Sequence, residues 1–401
     1  MIRLLVRAAT ASAGGGLTYL RNVVPLLADK TDVQLVLLAT PDVCNEFSSL
    51  SGVIFATAPK GRLGSSAIHL AEQIASHRLI HLHSVDLVLS TGNFALARCP
   101  VPQILLTRNA LYTSRDFARD LRTRGDALLW LDTVWKSWLA KWSVQNADRV
   151  IAPSRAFAAE VEQWTGRHVD TIYHGFDSNK FFSDTTPLPH HVTEQLERSA
   201  GALKLLFVSH YNYYRNFETL FQALALAKKR LGRPVRLLLT CTLEPTANPG
   251  PYQTSRAACL VKKLGIEDDL VQLGAIPYAQ LQHLYRACDL YVTPAYAETF
   301  AHPLMEAMAS GLPVLASNIP VHREICDRVA LYFPAFSAAE LADLIVKLAG
   351  ASDLRRRLRE YGLERAAEFS WKRHVDELIA VGKTMVGCER NLATNRLSPA
   401  A

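Results

Sequence analysis

Twice along its 401 residues the chain lays down a series of short apolar runs separated by longer amphipathic stretches, and this repeated alternation leaves few folds open. Runs this short suit strands, the amphipathic stretches suit helices, and the alternation of the two marks a parallel sheet with helices on both faces. In the first half the candidate strands are 2–6, 33–38, 53–56, 87–89, 103–106, 150–152 and 170–172. The second half restarts with 204–209, 235–240, 270–273, 290–293 and 314–316, separated by helical segments such as 217–230 and 278–287. Between the halves lies Thr185-Thr-Pro-Leu-Pro-His-His191, a Pro-rich polar stretch that suits a linker. The length exceeds what one core usually serves. The expected layout is a first domain over 1–185, a linker over 186–202, a second domain over 203–370, a final helix over 371–388 and a flexible tail over 389–401.

A net charge of +7 and a sequence pI of about 9.0 favour anionic partners. Nucleic acid is discounted, because no dense Lys/Arg run is interleaved with aromatics. The seven cysteines are scattered with no C-x-x-C pair, which fits a reducing cytoplasm and supplies no zinc site. The apolar run near Met1 is short and broken by charge, so it suits a first strand rather than a signal peptide. No stretch reaches the roughly 18 uninterrupted apolar residues of a membrane span. A cytoplasmic protein is expected, soluble or peripheral on a membrane.

The most informative motif follows the candidate strand 290–293: Tyr296-Ala-Glu298-Thr-Phe-Ala-His302-Pro303-Leu-Met-Glu306-Ala-Met-Ala-Ser-Gly311. Pro303 suits a first helical turn and Gly311 the exit, which leaves Glu298 in the loop and Glu306 one turn into the helix. Such a turn exposes unpaired N–H groups at a positive dipole end and favours an anion such as a diphosphate. Carboxylates beside it accept hydrogen bonds from sugar hydroxyls. The stretch resembles the donor-site motif of the family-4 retaining glycosyltransferases of the GT-B fold, and the resemblance covers almost the whole chain in order. It implies two doubly wound, Rossmann-like α/β domains facing each other across a cleft. It also implies that Glu298 faces the transferred sugar, that Glu306 binds the ribose hydroxyls, and that the backbone of Phe300, Ala301 and His302 touches the diphosphate. The final helix would cross back to the first domain, where Phe369-Ser-Trp371 resembles the family's crossover.

Other motifs sit where candidate strands end. Gly14-Gly15-Gly16 opens a helical stretch, 17–27, and its bare backbone suits close approach to a phosphate. A nicotinamide-binding G-x-G-x-x-G is not met, because Tyr19 takes the last place. By resemblance Gly15 and Gly16 line the donor phosphate or the acceptor side. His210-Tyr-Asn-Tyr-Tyr-Arg215-Asn216 stands where the family usually has a Gly-Arg pair followed by Lys-Asn or Lys-Gly. Arg215 is the expected diphosphate contact. His210 would be a titratable second cation, so donor binding would fall as pH rises through its titration range. Ala275 and Ile276, in Gly274-Ala275-Ile276-Pro277, would recognise the nucleotide base by resemblance, although a plain strand-to-helix turn explains these residues equally well.

Many family members end a first-domain strand with a catalytic-region His. Here that place falls on Arg108 or Asn109, both able to donate to a sugar hydroxyl or phosphate, with Asn93 expected on the same acceptor side. His81 and His83 would share a face if they lay on a strand, but no third ligand stands at a recognisable spacing, so no metal site is expected. Four of six tryptophans fall within 130–142, and Leu131, Trp135, Trp138 and Trp142 lie near one helical face downstream of Arg115, Arg119, Arg122 and Arg124. The simpler expectation is a stripe packed onto the first domain's sheet; the alternative is a membrane-seeking surface.

Together these features predict a metal-independent, retaining glycosyltransferase without a cofactor, moving a sugar from a nucleotide-diphosphate-sugar to a glycan, lipid-linked or small-molecule hydroxyl. The alternatives are a catalytically silent nucleotide-sugar or glycan-binding protein of the same fold, and a GT-B epimerase.

Overall fold

The structure, a computed structural model, describes residues 1–9, 11, 14–58 and 65–397, without the side chains of 65–68 and 389–397. The chain forms two compact units. One comprises residues 1–113, 133–175 and 370 onward; the other comprises 114–132 and 176–369.

The first unit carries β1 (Ile2–Arg7), β2 (Val33–Ala39), β3 (Val53–Thr57), β4 (Leu87–Ser90), β5 (Gln103–Leu106), β6 (Arg149–Ala152) and β7 (Asp170–Thr171). They form one sheet in the order β3-β2-β1-β4-β5-β6-β7, and every recorded pairing is parallel. Helices cover both faces, which is why the strands are almost unbroken apolar runs. Leu4, Val6, Leu87 and Leu89 enter one apolar cluster, while the intervening Leu5 and Val88 enter another on the opposite face. The last helix, Trp371–Leu397, belongs to the first of these cores through Trp371, Val375, Leu378, Ile379 and Val386. Its His374 meets the hydroxyl of fully buried Tyr19 at 3.0 Å.

The second unit carries β8 (Leu203–Phe207), β9 (Val235–Leu239), β10 (Leu270–Gln272), β11 (Leu290–Thr293), β12 (Val314–Ser317) and β13 (Ala330–Phe333), ordered β10-β9-β8-β11-β12-β13 with every recorded pairing parallel. In each unit the first strand lies between the second and the fourth. This reversal is the switch point where open α/β sheets bind ligands, outside the carboxyl ends of the strands.

The structure differs from the sequence expectations in several places, the first being that residues 114–132 and 176–185 fall in the second unit rather than in a first domain over 1–185. The edge strand β13 was not anticipated: it has four residues, hemmed in by Arg328 and Pro334. The stretch expected as linker contains a helix, His190–Arg198. The final helix continues past 388 to Leu397, and residues 398–401 lie outside the described residues. His81 ends the helix Ser65–Leu82, with His83 just beyond it, so the pair does not lie on a strand. The tryptophan-rich helix, Ala127–Asn146, buries Ala140, Ser143 and Val144 and leaves Leu131, Trp135 and Trp138 exposed, which reverses the expected stripe. Small residues allow close helix packing; the indoles of Trp135 and Trp138 face outward, while Trp142, the last member of the expected stripe, is half-buried. No helix among the described residues is long and apolar enough to cross a membrane.

Candidate functional site

In the second unit the switch point lies between β8 and β11, and the motif residues hang from these two strands. The loop after β8 ends in a 3-10 turn, Tyr213–Arg215, capped by the Asn212 side chain, which accepts from the Arg215 N–H at 3.1 Å. The loop after β11 carries Glu298. The two side chains form an ion pair, with Arg215 17% and Glu298 9% exposed. Thus the structure unites two of the expected site residues, through a contact that residue spacing alone does not reveal.

The Glu298 loop is tied down on several sides. Asn216 adopts a left-handed conformation (φ 57°) and donates from Nδ2 to the carbonyls of Pro294 (3.2 Å) and Ala335 (2.6 Å). The Tyr296 N–H donates to the Tyr214 carbonyl at 3.0 Å, and the Tyr296 hydroxyl donates to Asp120 at 2.8 Å. Ser317, at the end of β12, hydrogen-bonds the Ala295 carbonyl and is backed by His322 Nδ1 at 2.9 Å. Sequence reasoning missed Ser317, His322 and Asp120. Ser317 and Asp120 act from other elements, and His322 acts through Ser317, five residues before it.

Ala301 takes the left-handed N-cap position (φ 64°, ψ 67°) of the helix His302–Ala309, with Pro303 in its first turn. Pro303 supplies no N–H in that turn and the Leu304 N–H donates to the Ala301 carbonyl at 3.0 Å; a helix start of this kind is where phosphate oxygens commonly bind. Phe300 is buried, with its ring 5.1 Å from that of His302. Glu306, 4% exposed, accepts from the Tyr285 hydroxyl at 2.8 Å. Desolvation pushes the Glu306 carboxyl up to about 7, against the opposing pull of the Tyr285 hydrogen bond. Tyr285 was not anticipated, since a tyrosine on a helix normally signals packing.

The Glu306 shift carries a stability prediction. A carboxyl raised from 4.5 to about 7 by folding contributes stability that is complete below pH 4.5 and lost as pH rises through about 7. At pH 8 the buried charge costs roughly 3 kcal/mol, at about 1.36 kcal/mol per pH unit. Glu306→Gln, whose amide oxygen still accepts from Tyr285, is expected to melt higher than wild type at pH 8 and nearly equally at pH 4.5. Parallel loss of stability between these pH values in both proteins would contradict the shift.

His210 lies in the loop after β8. Desolvation first, and the Arg215 charge second, hold its pKa below the ordinary imidazole value. If the titration of His210 governs donor binding, the decline therefore begins at a lower pH than for an ordinary imidazole, and a bound anion would draw it back up. Ala275 and Ile276 follow β10, the edge strand, with Ala275 exposed and Ile276 half-buried. They share the carboxyl end of the sheet with Arg215 and Glu298.

In the first unit the switch point lies between β1 and β4. The glycine run opens the helix Gly14–Ala28, which begins at Gly14 rather than at residue 17. Asn93 (φ 66°) follows β4 and accepts the Arg108 N–H at 2.7 Å, while Arg108 Nε donates to the Thr91 carbonyl at 2.8 Å. A Cβ at Gly16 would stand 3.0 Å from Arg108 Nη2 and 3.2 Å from Ala11 Cα, so the glycine makes room for the guanidinium. Burial lowers the Arg108 pKa to about 10, which leaves it cationic at neutral pH. Asn109 uses its side-chain oxygen to cap the turn Ala110–Tyr112, accepting from the Leu111 N–H at 3.1 Å. Of the two residues at the place of the family's His, Arg108 thus faces the glycine run while Asn109 caps its own loop. Among the described residues no group of three His, Cys, Asp or Glu side chains is arranged to hold a metal.

Two Rossmann-like sheets, each with functional residue types at its switch point, define a GT-B fold. Solved structures agree. Sucrose-phosphate synthase from Thermosynechococcus elongatus superposes with TM-score 0.74 at 18% identity, covering 97% of this chain and 100% of that one. HepE from Anabaena, solved in complex with UDP-glucose, superposes with TM-score 0.71 at 17% identity, covering 96% and 100%. Family models match residues 13–180 as glycosyltransferase family 4 and residues 192–365 as glycosyl transferases group 1. The chain belongs to the family-4, group 1 glycosyltransferases. It is 27% identical over 255 residues to the D-inositol 3-phosphate glycosyltransferase of Corynebacterium urealyticum, a match covering 60% of this chain and 58% of that protein. The chain thus spans little more than half the length of the curated relatives it matches.

Proposed function

We propose that the protein transfers a sugar from a nucleotide-diphosphate donor to a hydroxyl acceptor, with retention of anomeric configuration. The observation that carries this reading is the Arg215–Glu298 pair at the second unit's switch point. A diphosphate draws on the guanidinium and the sugar hydroxyls draw on the carboxylate, so the donor replaces one internal contact with two of its own. Glu306 takes the ribose hydroxyls, the amides of 300–302 take phosphate oxygens, and Ala275 and Ile276 meet the base. In the first unit Gly15, Gly16, Asn93 and Arg108 serve the acceptor side.

Rate enhancement then comes from orienting the sugar and stabilising the departing diphosphate as charge develops on it. Arg215 and the helix amides supply that compensation, so the reading calls for no metal ion and no cofactor. Retention rests on the family resemblance. The UDP-glucose complex of HepE makes UDP-sugars the first donors to try.

A melting panel of nucleotide-sugars tests the donor, since a ligand that binds only the folded state adds about 2.7 kcal/mol at a concentration of 100 Kd. Donors that stabilise are then supplied with radiolabelled sugar and hydroxyl acceptors. Transfer is expected. Stabilisation without turnover would favour a silent binding protein, which the Arg108 replacement makes the second reading. Conversion of the donor without an acceptor would identify an epimerase, and a panel with no shift would overturn the donor assignment.

A further inference from the structure

The carboxyl of Glu306 has phenols for neighbours and no cation. The Tyr285 hydroxyl, from the helix Leu281–Arg286, donates to Glu306 Oε2 at 2.8 Å, and both side chains are buried. Burial, reinforced by the Glu306 charge, holds Tyr285, Tyr278 in the turn Tyr278–Gln280 and Tyr291 on β11 above the ordinary phenol range. None of the three ionises near neutral pH. Further out, the charge of Asp177 is felt at Tyr278 and that of Arg215 at Tyr291. Among the described residues no lysine, arginine or histidine pairs with Glu306, and no donor reaches its Oε1.

Tyr285 has one proton and two acceptors in reach, Glu306 Oε2 at 2.8 Å and the Pro303 carbonyl at 3.4 Å. Both acceptors belong to the helix His302–Ala309, so the hydroxyl braces the carboxyl against the turn that carries it. The shorter contact dominates. A buried carboxylate draws its stability from donors, and several are needed to offset its lost hydration. Tyr285 supplies one, which leaves the whole of Oε1 and a lone pair of Oε2 unused. The 2′- and 3′-hydroxyls of a ribose are two further donors, spaced for the two oxygens of one carboxylate.

We propose, resting on the donor reading above, that Tyr285 is a positioning residue for the nucleotide: its hydroxyl fixes Oε2 of Glu306 and leaves Oε1 to accept from the ribose. A proton exchange accompanies that role. In the empty site desolvation keeps the carboxyl partly protonated at neutral pH, with a pKa of about 7. Ribose hydroxyls donating to it favour the charged form, so nucleotide binding expels the carboxyl proton to solvent. Tyr285, by donating to the same group, sets how much of that proton is already gone.

Calorimetry of UDP-glucose binding to the full chain tests it, in two buffers of different ionisation enthalpy so that protons are counted. The diphosphate of UDP-glucose does not itself titrate near neutral pH. Glu306→Gln is the reference, because His210 would take up a proton on meeting an anion and would do so in every variant alike. At pH 7 wild type should release about half a proton more than Glu306→Gln, and its affinity relative to that variant should rise about tenfold from pH 6 to pH 8. Tyr285→Phe, which loses only the hydroxyl, should bind about tenfold more weakly at pH 7. It should also release nearly a whole proton more than the reference, since its carboxyl has lost the donor that favours charge. In melting experiments its stability loss should begin about one pH unit higher than in wild type. A folded Tyr285→Phe protein with wild-type affinity and proton count would overturn the proposal alone, as would equal proton release by wild type and Glu306→Gln. Absence of binding in all three proteins would overturn the donor reading with it.

Discussion

Glu298→Gln is expected to lose sugar transfer by about 10²–10³-fold while remaining folded, the scale on which removal of one well-placed polar contact slows an enzyme. Glutamine is isosteric but neutral. It cannot balance the Arg215 guanidinium, and it accepts a sugar hydroxyl less strongly than a carboxylate does. The loop itself should hold, because Asn216 grips Pro294 and Ala335, Ser317 grips Ala295, and Asp120 grips Tyr296 without help from residue 298. Initial rates with a radiolabelled donor, beside circular dichroism and melting of the same preparation, provide the test. Glu298→Asp should recover part of the rate if charge is what matters. A folded Gln variant with wild-type rates would remove Glu298 from the chemistry.

The largest stability effect is expected at Gly175. A Cβ there would stand 2.0 Å from the Trp371 nitrogen, 2.4 Å from the Ser370 carbonyl carbon and 2.6 Å from the Trp371 Cα. All three are backbone atoms, so no side chain can swing aside. Gly175→Ala must instead displace the start of the last helix, whose Trp371 packs in the first unit's core. A cost of about 3–5 kcal/mol follows, at the upper end of what single substitutions do. Gly232→Ala is the matched control, because a Cβ at Gly232 meets nothing within 4 Å. Urea unfolding of both variants should show a large loss for Gly175→Ala and almost none for the control. Equal midpoints would mean the two chain segments approach less closely than described.

What the sequence made legible was whatever is encoded in short runs. Buried parallel strands need apolar side chains on both faces, so β5 and β11 have the bounds expected of them, and the other anticipated strands differ only at their ends. The strand β13 escaped although the five residues between Arg328 and Pro334 form an unbroken apolar run, because so short a run is not distinguished from a buried connection by pattern alone. At the site, Glu298, Glu306 and Arg215 were legible as residue types at strand ends, whereas their partners were not. Tyr285 reaches Glu306, while Ser317 and Asp120 reach the neighbouring loop residues Ala295 and Tyr296, all from other elements, and no periodicity records such pairings. The tryptophan helix teaches a different lesson. Spacing identified a face but not its direction, and the informative residues were the small ones opposite, Ala140 and Ser143, which pack where indoles would not fit.

The division of the chain has a consequence for its synthesis. Residues 114–132 join the second unit, and the helix beginning at Trp371 joins the first, so the polypeptide passes from one body to the other after 113, 132, 175 and 369. A nascent chain therefore cannot seal its amino-terminal half until the final segment has left the ribosome. A message truncated near codon 369 would release a protein with Leu4, Val6, Leu87 and Leu89 stripped of Val375 and Leu378, a greasy surface that quality-control machinery is built to detect.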